Sequence, residues 1–157
     1  MLVIADSSAL IALSICNCLD ILDKLFNSVK VPKSVFDELI KPRKPQAEAL
    51  YTYLQDKVIT IDSTSFVISA GGLGRGELDA MVLCKQMNAN YLLIDDKRAR
   101  KIAQLNGIPI MGSLGVLLFA KQRGLLKSIK PAIVTLQSSD IHFSDKLIEK
   151  ALQLAGE

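Results

Sequence analysis

Short apolar segments rich in branched residues alternate along this chain with longer segments whose apolar residues recur at helical spacing. The first apolar segment covers residues 2–5, and a helical pattern starts at Ser7 directly after it. Strands that alternate with helices are typical of parallel β-sheets with helices on both faces and right-handed crossovers. The pattern therefore predicts an α/β fold with a central parallel sheet. The other predicted strands are 29–31, 58–61, 91–94 and 108–111, and the other predicted helices are 19–26, 35–40, 47–54, 77–87, 97–105, 112–121, 125–136 and 146–155, the last with Ser144 as its N-cap.

The composition predicts one packed domain. The chain has 157 residues, of which 50% are hydrophobic and 22% charged, so it has enough apolar surface for one core. Because we find no internal repeat and no linker, we expect a single domain over residues 1–157. Its net charge of +3 permits an anionic partner without requiring one.

No part of the sequence is typical of a membrane or secreted protein. No apolar segment approaches the roughly 18 uncharged residues of a membrane span. The first apolar run is interrupted by Asp6 and lacks the basic start of a secretory signal. Three cysteines are an odd and sparse set for a chain with a full core, which is typical of reduced thiols, so we expect a cytoplasmic protein. With one histidine in the chain, a zinc site is disfavoured.

Carboxylate side chains occur where predicted strands end and helices begin. In a parallel sheet, ligands bind beyond the carboxyl ends of the strands, which all lie at one edge. We therefore expect several of these carboxylates to face the same edge of the sheet. They are Asp6, Glu38, Glu77, Asp79, Asp95 and Asp96.

Each carboxylate alone has a structural explanation, but a shared position does not. Asp6 and Asp95 could cap helices, Glu77 could complement a helix dipole, and Glu38 could lie on a solvated face. Two carboxylates about 4 Å apart, however, repel by roughly 4 kcal/mol at an effective dielectric near 20, so a cluster needs a cation. Oxygen ligands without a His or Cys cluster favour Mg²⁺ or Mn²⁺, and such sites carry out metal-assisted phosphoryl transfer.

Four short segments contain these acids, and they follow one another along the chain. They are Ile4-Ala5-Asp6-Ser7-Ser8, the proline-led helix containing Glu38, Gly76-Glu77-Leu78-Asp79-Ala80, and Leu93-Ile94-Asp95-Asp96-Lys97-Arg98-Ala99-Arg100. In this order they resemble the PIN-domain family of metal-dependent ribonucleases, most closely the single-domain proteins similar to VapC toxins. The resemblance covers almost the whole chain and implies a three-layer α/β/α fold. It also implies an Mg²⁺ or Mn²⁺ site and cleavage of single-stranded RNA by metal-activated water.

The resemblance assigns roles to two acids and one hydroxyl by position. Asp6 is expected to be a metal ligand at the first strand. Glu38 is expected to be a ligand, or to support one, from the facing helix. Ser8 matches a small hydroxyl that orients a ligand or water in the family.

Two further acidic positions of the family each fall on a pair of residues. The third position falls on Glu77 or Asp79, and we favour Glu77. The fourth falls on Asp95, with the adjacent Asp96 as the alternative. The predicted catalytic set is therefore Asp6, Glu38, Glu77 and Asp95, with Asp79 and Asp96 as alternative metal ligands.

Basic residues lie beside the predicted site. They could bind the RNA phosphate backbone, and such binding weakens with salt. The alternative is an ordinary solvated helix face. Aromatic side chains are few, and Tyr51, Tyr53 and Phe66 are better placed to cover the core than to stack on bases. The basic residues are Arg75, Lys97, Arg98, Arg100 and Lys101.

Other functions are weaker interpretations of the same residues. A Mg²⁺-dependent phosphatase with an aspartyl nucleophile usually needs an acid two residues after Asp6, where this chain has Ser8. A P-loop is disfavoured because GGLGRGE lacks the Gly-Lys-Ser/Thr ending. A catalytically inactive PIN-like module that binds RNA or protein is the remaining alternative. His142 is expected to lie on the surface without a catalytic role.

The resemblance also suggests partners. Members of the family often act as toxins paired with an antitoxin, while others process rRNA or tRNA, and the sequence favours neither role. A mean hydropathy of +0.31 is typical of a chain with a buried interface, so we expect a homodimer.

Overall fold

The structure, a computed structural model, describes residues 1–61 and 72–157. These residues form five strands and nine helices. The strands are β1 (Leu2–Ala5), β2 (Ser28–Pro32), β3 (Val58–Ile59), β4 (Tyr91–Leu93) and β5 (Ile110–Met111). The helices are α1 (Ser7–Ile15), α2 (Leu19–Leu25), α3 (Lys33–Leu39), α4 (Ala47–Leu54), α5 (Arg75–Gln86), α6 (Lys97–Leu105), α7 (Ser113–Gln122), α8 (Lys130–Gln137) and α9 (Asp145–Leu154).

The strands form one parallel sheet in the order β3-β2-β1-β4-β5, which confirms the predicted fold class. The first strand of the chain is central, with Ile4 opposite Lys30 on one side and Leu92 on the other. The chain builds the sheet outward from β1 to β3 and then crosses back to add β4 on the other side. The strand order therefore reverses between β1 and β4, where parallel sheets form their ligand crevice.

Each face of the sheet buries its own hydrophobic cluster. Val3 and Ala5 pack with helices α1, α2 and α7 to α9, whereas Ile4 packs with α5 and α6. This alternation follows from the two-residue period of side chains along a strand. Helices on both faces of the sheet confirm the three-layer α/β/α arrangement. Within the described residues, none of the helices has the length and apolar character that a membrane span requires.

Several predicted helix boundaries differ from the structure, and two of these differences have a clear physical cause. The helix predicted from Glu77 begins at Arg75, because Gly74 is its N-cap and the Glu77 side chain accepts a hydrogen bond from the Gly74 amide at 3.0 Å. The helix predicted over 125–136 begins only at Lys130. Pro131 explains this difference, because a proline is tolerated in the first turn of a helix but not in its interior.

The predicted N-cap of the last helix is confirmed. The Ser144 hydroxyl accepts a hydrogen bond from the Leu147 amide at 3.2 Å, and α9 begins at the next residue, Asp145. The strands predicted over 58–61 and 108–111 are shorter in the structure, where β3 and β5 have two residues each.

Candidate metal centre

Two acids follow the neighbouring central strands at the point where the strand order reverses. Asp6 follows β1 directly, and Asp95 lies two residues after the end of β4. The Asp6 amide donates a hydrogen bond to the Leu93 carbonyl at 2.8 Å, which attaches the end of β1 to the end of β4. The structure therefore brings the first and fourth predicted acidic positions to one edge of the sheet.

Asp6 is a buried carboxylate with one unpartnered oxygen. The side chain is only 1% exposed, and its Oδ2 accepts hydrogen bonds from the Ser8 amide at 3.1 Å and the Ser8 hydroxyl at 2.7 Å. Its Oδ1 has no hydrogen-bond partner among the described residues. Burial raises the pKa of Asp6 to about 6, the hydrogen bonds from Ser8 oppose this shift, and the negative charge of Glu77 adds to it.

The Ser8 hydroxyl joins the two strand ends. It donates its one proton to Asp6 and accepts hydrogen bonds from the Asp95 amide at 2.9 Å and the Asp96 amide at 3.3 Å. A hydroxyl can do both, because it has one donor and two acceptor sites. Ser8 thereby fixes the Asp6 carboxylate relative to the backbone after β4.

Asp95 is held by the start of the next helix. Its Oδ1 accepts a hydrogen bond from the Ser113 amide at 2.7 Å, while its Oδ2 is buried without a hydrogen-bond partner among the described residues. Burial raises the pKa of Asp95, whereas Ser113 and the positive charge of Arg100 act in the opposite direction. A Cβ at Gly112 would lie 2.9 Å from Asp95 Oδ1, so the residue before Ser113 must be small.

Sequence reasoning missed Gly112 and Ser113. They directly follow β5, which borders β4, so the strand-end logic that found Asp95 applies to them as well. A two-residue strand gives too weak a pattern to mark that position, and a search for acids passes over a Gly-Ser pair.

The adjacent acids Asp95 and Asp96 have different surroundings. Asp96 is exposed and is the N-cap of α6, where its Oδ1 accepts a hydrogen bond from the Ala99 amide at 2.8 Å. Asp95 is instead directed at Ser113. Of this pair, Asp95 is the carboxylate with a free buried oxygen.

The two acids at the start of α5 also differ. Glu77 is half-buried, and its charge raises the pKa of Asp6, so the two carboxylates are close enough to interact. Asp79 is 3% exposed, and its Oδ2 accepts hydrogen bonds from the Ser34 hydroxyl at 2.6 Å and from Arg75 Nε at 3.2 Å. Its Oδ1 is buried without a partner among the described residues. Asp79 thus joins α3 to α5.

Glu38 lies across from the start of α5. The residue is exposed on α3, and a Cβ placed on Gly76 would lie 3.4 Å from its Oε2. Its carboxylate is therefore beside the residue that precedes Glu77. Its neighbour Asp37 is directed elsewhere, where it forms an exposed ion pair with Lys33 at 2.6 Å.

The predicted RNA-binding residues form two groups. Lys97, Arg98 and Lys101 are exposed on α6, where the Arg98 guanidinium lies against Gly72. Arg75 and Arg100 are anchored by contacts within the protein. Arg75 is 76% exposed but pairs with Asp79, and Arg100 donates a hydrogen bond to the Ile94 carbonyl at 2.8 Å.

The aromatic residues considered for base stacking have other contacts. Tyr51 packs on Phe36 at a ring distance of 5.9 Å, and the Tyr53 hydroxyl donates a hydrogen bond to Asp23 at 3.2 Å. Phe66 lies outside the described residues. His142 is exposed, as predicted.

The donor atoms suit a hard divalent cation, although the described residues do not form a complete metal-binding site. No three Asp, Glu, His or Cys side chains among them are close enough to hold a metal ion as they stand. Asp6 Oδ1, Asp79 Oδ1 and Asp95 Oδ2 are nonetheless buried without hydrogen-bond partners. Unpartnered buried carboxylate oxygens are costly, and carboxylate oxygens are the ligands that Mg²⁺ and Mn²⁺ prefer.

A comparison with protein families finds one match over nearly the whole chain. The family model described as a PIN domain matches residues 2–157. No curated protein and no solved structure matches the chain.

Proposed function

Since the chain belongs to the PIN-domain family, whose members are usually nucleases that use divalent metals, we propose that it is an Mg²⁺- or Mn²⁺-dependent endoribonuclease acting on single-stranded RNA. The observation that carries the proposal is the pair of carboxylates at neighbouring strand ends. Asp6 and Asp95 are tied together through Ser8, and each has one buried oxygen without a partner. A divalent cation would satisfy both oxygens and remove the cost of keeping two charges there.

In this proposal Asp6, Glu77 and Asp95 hold the cation, and Glu38 supports them from α3. Glu77 is preferred to Asp79 because its charge acts on Asp6. Asp95 is preferred to Asp96 because it has a buried oxygen without a hydrogen-bond partner among the described residues, whereas Asp96 lies exposed at the start of α6.

A bound divalent cation would polarise the scissile phosphate and activate the attacking water. The contributions of the chain are positional. Ser8 holds Asp6 at Oδ2, Ser113 holds Asp95 at Oδ1, and each contact leaves the other oxygen of that carboxylate for the cation. The positive charge of Arg100 lowers the pKa of Asp95 and so favours the ionised carboxylate that a cation would bind.

The basic side chains of α6 and α5 would bind the RNA backbone. Lys97 and Lys101 are exposed on the helix that begins directly after the acidic pair. Arg75 is held near the site by Asp79, and its exposed guanidinium can accept a phosphate on its outer side. Arg98 and Arg100 complete this set. Binding through these cations is expected to weaken as salt increases.

The proposal includes a location and partners. From the sequence we expect a homodimer that acts in the cytoplasm. The resemblance to VapC-like proteins adds a cognate antitoxin if the protein is the toxin of a toxin–antitoxin pair. Sedimentation of the purified chain tests the dimer. Inhibition by the product of a neighbouring gene tests the antitoxin.

An RNA cleavage assay with metal and EDTA arms tests the activity. We expect the wild type to cut a labelled single-stranded RNA with Mg²⁺ or Mn²⁺ and not with EDTA, and we expect Asp6→Asn and Asp95→Asn to abolish cleavage. Asp37→Asn is the matched control, because Asp37 is an exposed carboxylate outside the site. Cleavage that persists in EDTA or in Asp6→Asn would contradict the proposal, and RNA binding without any cleavage would favour an inactive module.

The same assay separates two other interpretations. Because His142 is exposed and not required, His142→Ala is expected to leave the dependence of cleavage on pH unchanged. A phosphorylated intermediate trapped on Asp6 would favour a phosphatase, although Ser8 occupies the position where that chemistry needs a second acid.

A further inference from the structure

Ser113 is a fully buried serine beside the proposed metal ligand Asp95. The residue is 0% exposed and is the first residue of α7. Its backbone amide donates to Asp95 Oδ1 at 2.7 Å. Its hydroxyl lies next to the same carboxylate and acts on its pKa, yet it makes no well-formed hydrogen bond to any described residue.

A comparison with the other strand end shows what is missing at Ser113. Ser8 gives Asp6 both of its donors, the amide at 3.1 Å and the hydroxyl at 2.7 Å. Ser113 donates its amide to Asp95, while its hydroxyl lies beside the same carboxylate without forming a well-formed hydrogen bond. Each of the two carboxylates is paired with a serine, but only Ser8 donates hydrogen bonds from both its amide and its hydroxyl.

In the metal-free protein the Ser113 hydroxyl acts on the pKa of Asp95 but forms no hydrogen bond of ordinary geometry with the described residues. A buried polar group that lacks a partner destabilises the folded state, and an alanine at the same position would not carry this cost. A small side chain is already required at the preceding residue, because a Cβ at Gly112 would lie 3.0 Å from Arg100 Nη1 and still closer to Asp95. The surroundings of Asp95 are therefore built tightly around its carboxylate.

We propose that Ser113 is a positioning residue for Asp95 in divalent metal binding. Its amide holds Oδ1 and leaves Oδ2 for the cation, and its hydroxyl completes the contact with the carboxylate when the cation is bound. Donors to ligating carboxylates fix their orientation, and their loss typically costs 10–100-fold in metal affinity. This inference rests on the proposed function, because it requires Asp95 to bind a divalent metal.

Titration of the full chain with Mn²⁺ alone, followed by calorimetry, tests the role of Ser113. For Ser113→Ala we expect an Mn²⁺ dissociation constant raised by about 10-fold or more. We expect its melting temperature in EDTA to be equal to or above that of the wild type, because the lost hydroxyl made no well-formed hydrogen bond among the described residues. Excess Mn²⁺ is expected to restore RNA cleavage.

Ser14→Ala is the matched control. Ser14 is also buried on a helix, but its hydroxyl donates to Gln46 at 2.7 Å, outside the site. This variant is expected to melt at a lower temperature in EDTA and to bind Mn²⁺ like the wild type.

Two results overturn the proposal and differ in their meaning. An unchanged Mn²⁺ affinity in Ser113→Ala, whatever its melting temperature, rejects the positioning role and leaves the nuclease proposal intact. A wild type that binds no Mn²⁺ rejects the metal site itself, and both proposals fail together.

Discussion

Replacing Asp6 by asparagine is expected to have opposite effects on the metal-free and metal-bound protein. The Asp6 carboxylate is 1% exposed, and burial raises its pKa from 3.8 to about 6. At neutral pH without metal, the folded protein therefore holds a charge in surroundings that disfavour it. Asparagine has nearly the same shape, keeps an oxygen that can accept from Ser8, and carries no charge.

The size of the effect follows from the pKa. A difference between 3.8 and about 6 corresponds to about 3 kcal/mol in the free energy of unfolding, which is an upper limit for the gain. Asparagine accepts weaker hydrogen bonds from Ser8 than a carboxylate does, so we expect a gain of about 2 kcal/mol. For a domain of this length, each kcal/mol shifts the melting temperature by roughly 2–4 °C, which predicts an increase of about 4–8 °C.

The stability of the metal-free wild type is expected to fall, relative to Asp6→Asn, as the pH rises. Because the pKa of Asp6 is higher in the folded than in the unfolded state, its contribution to stability is fully present below about pH 4. This contribution is lost as the pH rises through about 6. Without metal, the stability difference between Asp6→Asn and the wild type should therefore grow between pH 4 and 7.

Denaturation in EDTA and in Mn²⁺ measures both halves of this prediction. Mn²⁺ at 100 times its dissociation constant should stabilise the wild type by about 2.7 kcal/mol and leave Asp6→Asn unchanged. The difference between the two melting temperatures should therefore become smaller or change sign. Asp37→Asn, an exposed control, should shift by no more than about 0.5 kcal/mol. A variant that melts below the wild type in EDTA, or that gains as much from Mn²⁺, would refute the reasoning.

Two further substitutions test the surroundings of the site. Gly112→Ala should weaken Mn²⁺ binding by about 10-fold or more in calorimetry, because its Cβ would lie 2.9 Å from the Asp95 carboxylate, whereas Gly115→Ala meets a flexible methionine and should bind normally. Equal affinity in the two variants would contradict the tight fit at Asp95. Arg75→Ala should lower the slope of log affinity for single-stranded RNA against log salt by about 0.7 in fluorescence anisotropy with EDTA. Lys24→Ala, which also breaks an exposed ion pair between residues four apart, should keep the wild-type slope. An equal decrease of the slope in Lys24→Ala would mean that the effect comes from the net charge of the protein and not from a phosphate contact of Arg75.

The parts of the fold that could be predicted are those with strong local patterns. The apolar spacing changes clearly between the strand 2–5 and the helix that follows it. Because the sheet is parallel, the junction between them lies at the edge where ligands bind. The position of Asp6 follows from that junction alone. The burial of Asp6, the loss of solvent at its Oδ1 and the effect of the Glu77 charge on its pKa depend on helix packing that no local pattern encodes.

The parts that could not be predicted depend on partners distant in sequence. Asp95 and Asp96 are equivalent in the sequence, and the structure separates them through Ser113, which lies 18 residues after Asp95 on another strand end. Helical spacing alone does not distinguish Asp37 from Glu38, and the approach of α5 to α3 decides which of the two carboxylates lies beside Gly76.

The central position of β1 has a consequence for how the protein is made. Strand β1 is synthesised before β2 to β5 yet forms the middle of the sheet, and Ile4 can pair with its neighbour Leu92 only after 88 further residues have been synthesised. Contacts between such distant segments form slowly, since a long loop must close first. A product that terminates before Asp95 would carry Asp6 without the carboxylate proposed to share its cation, so it is expected to bind no Mn²⁺.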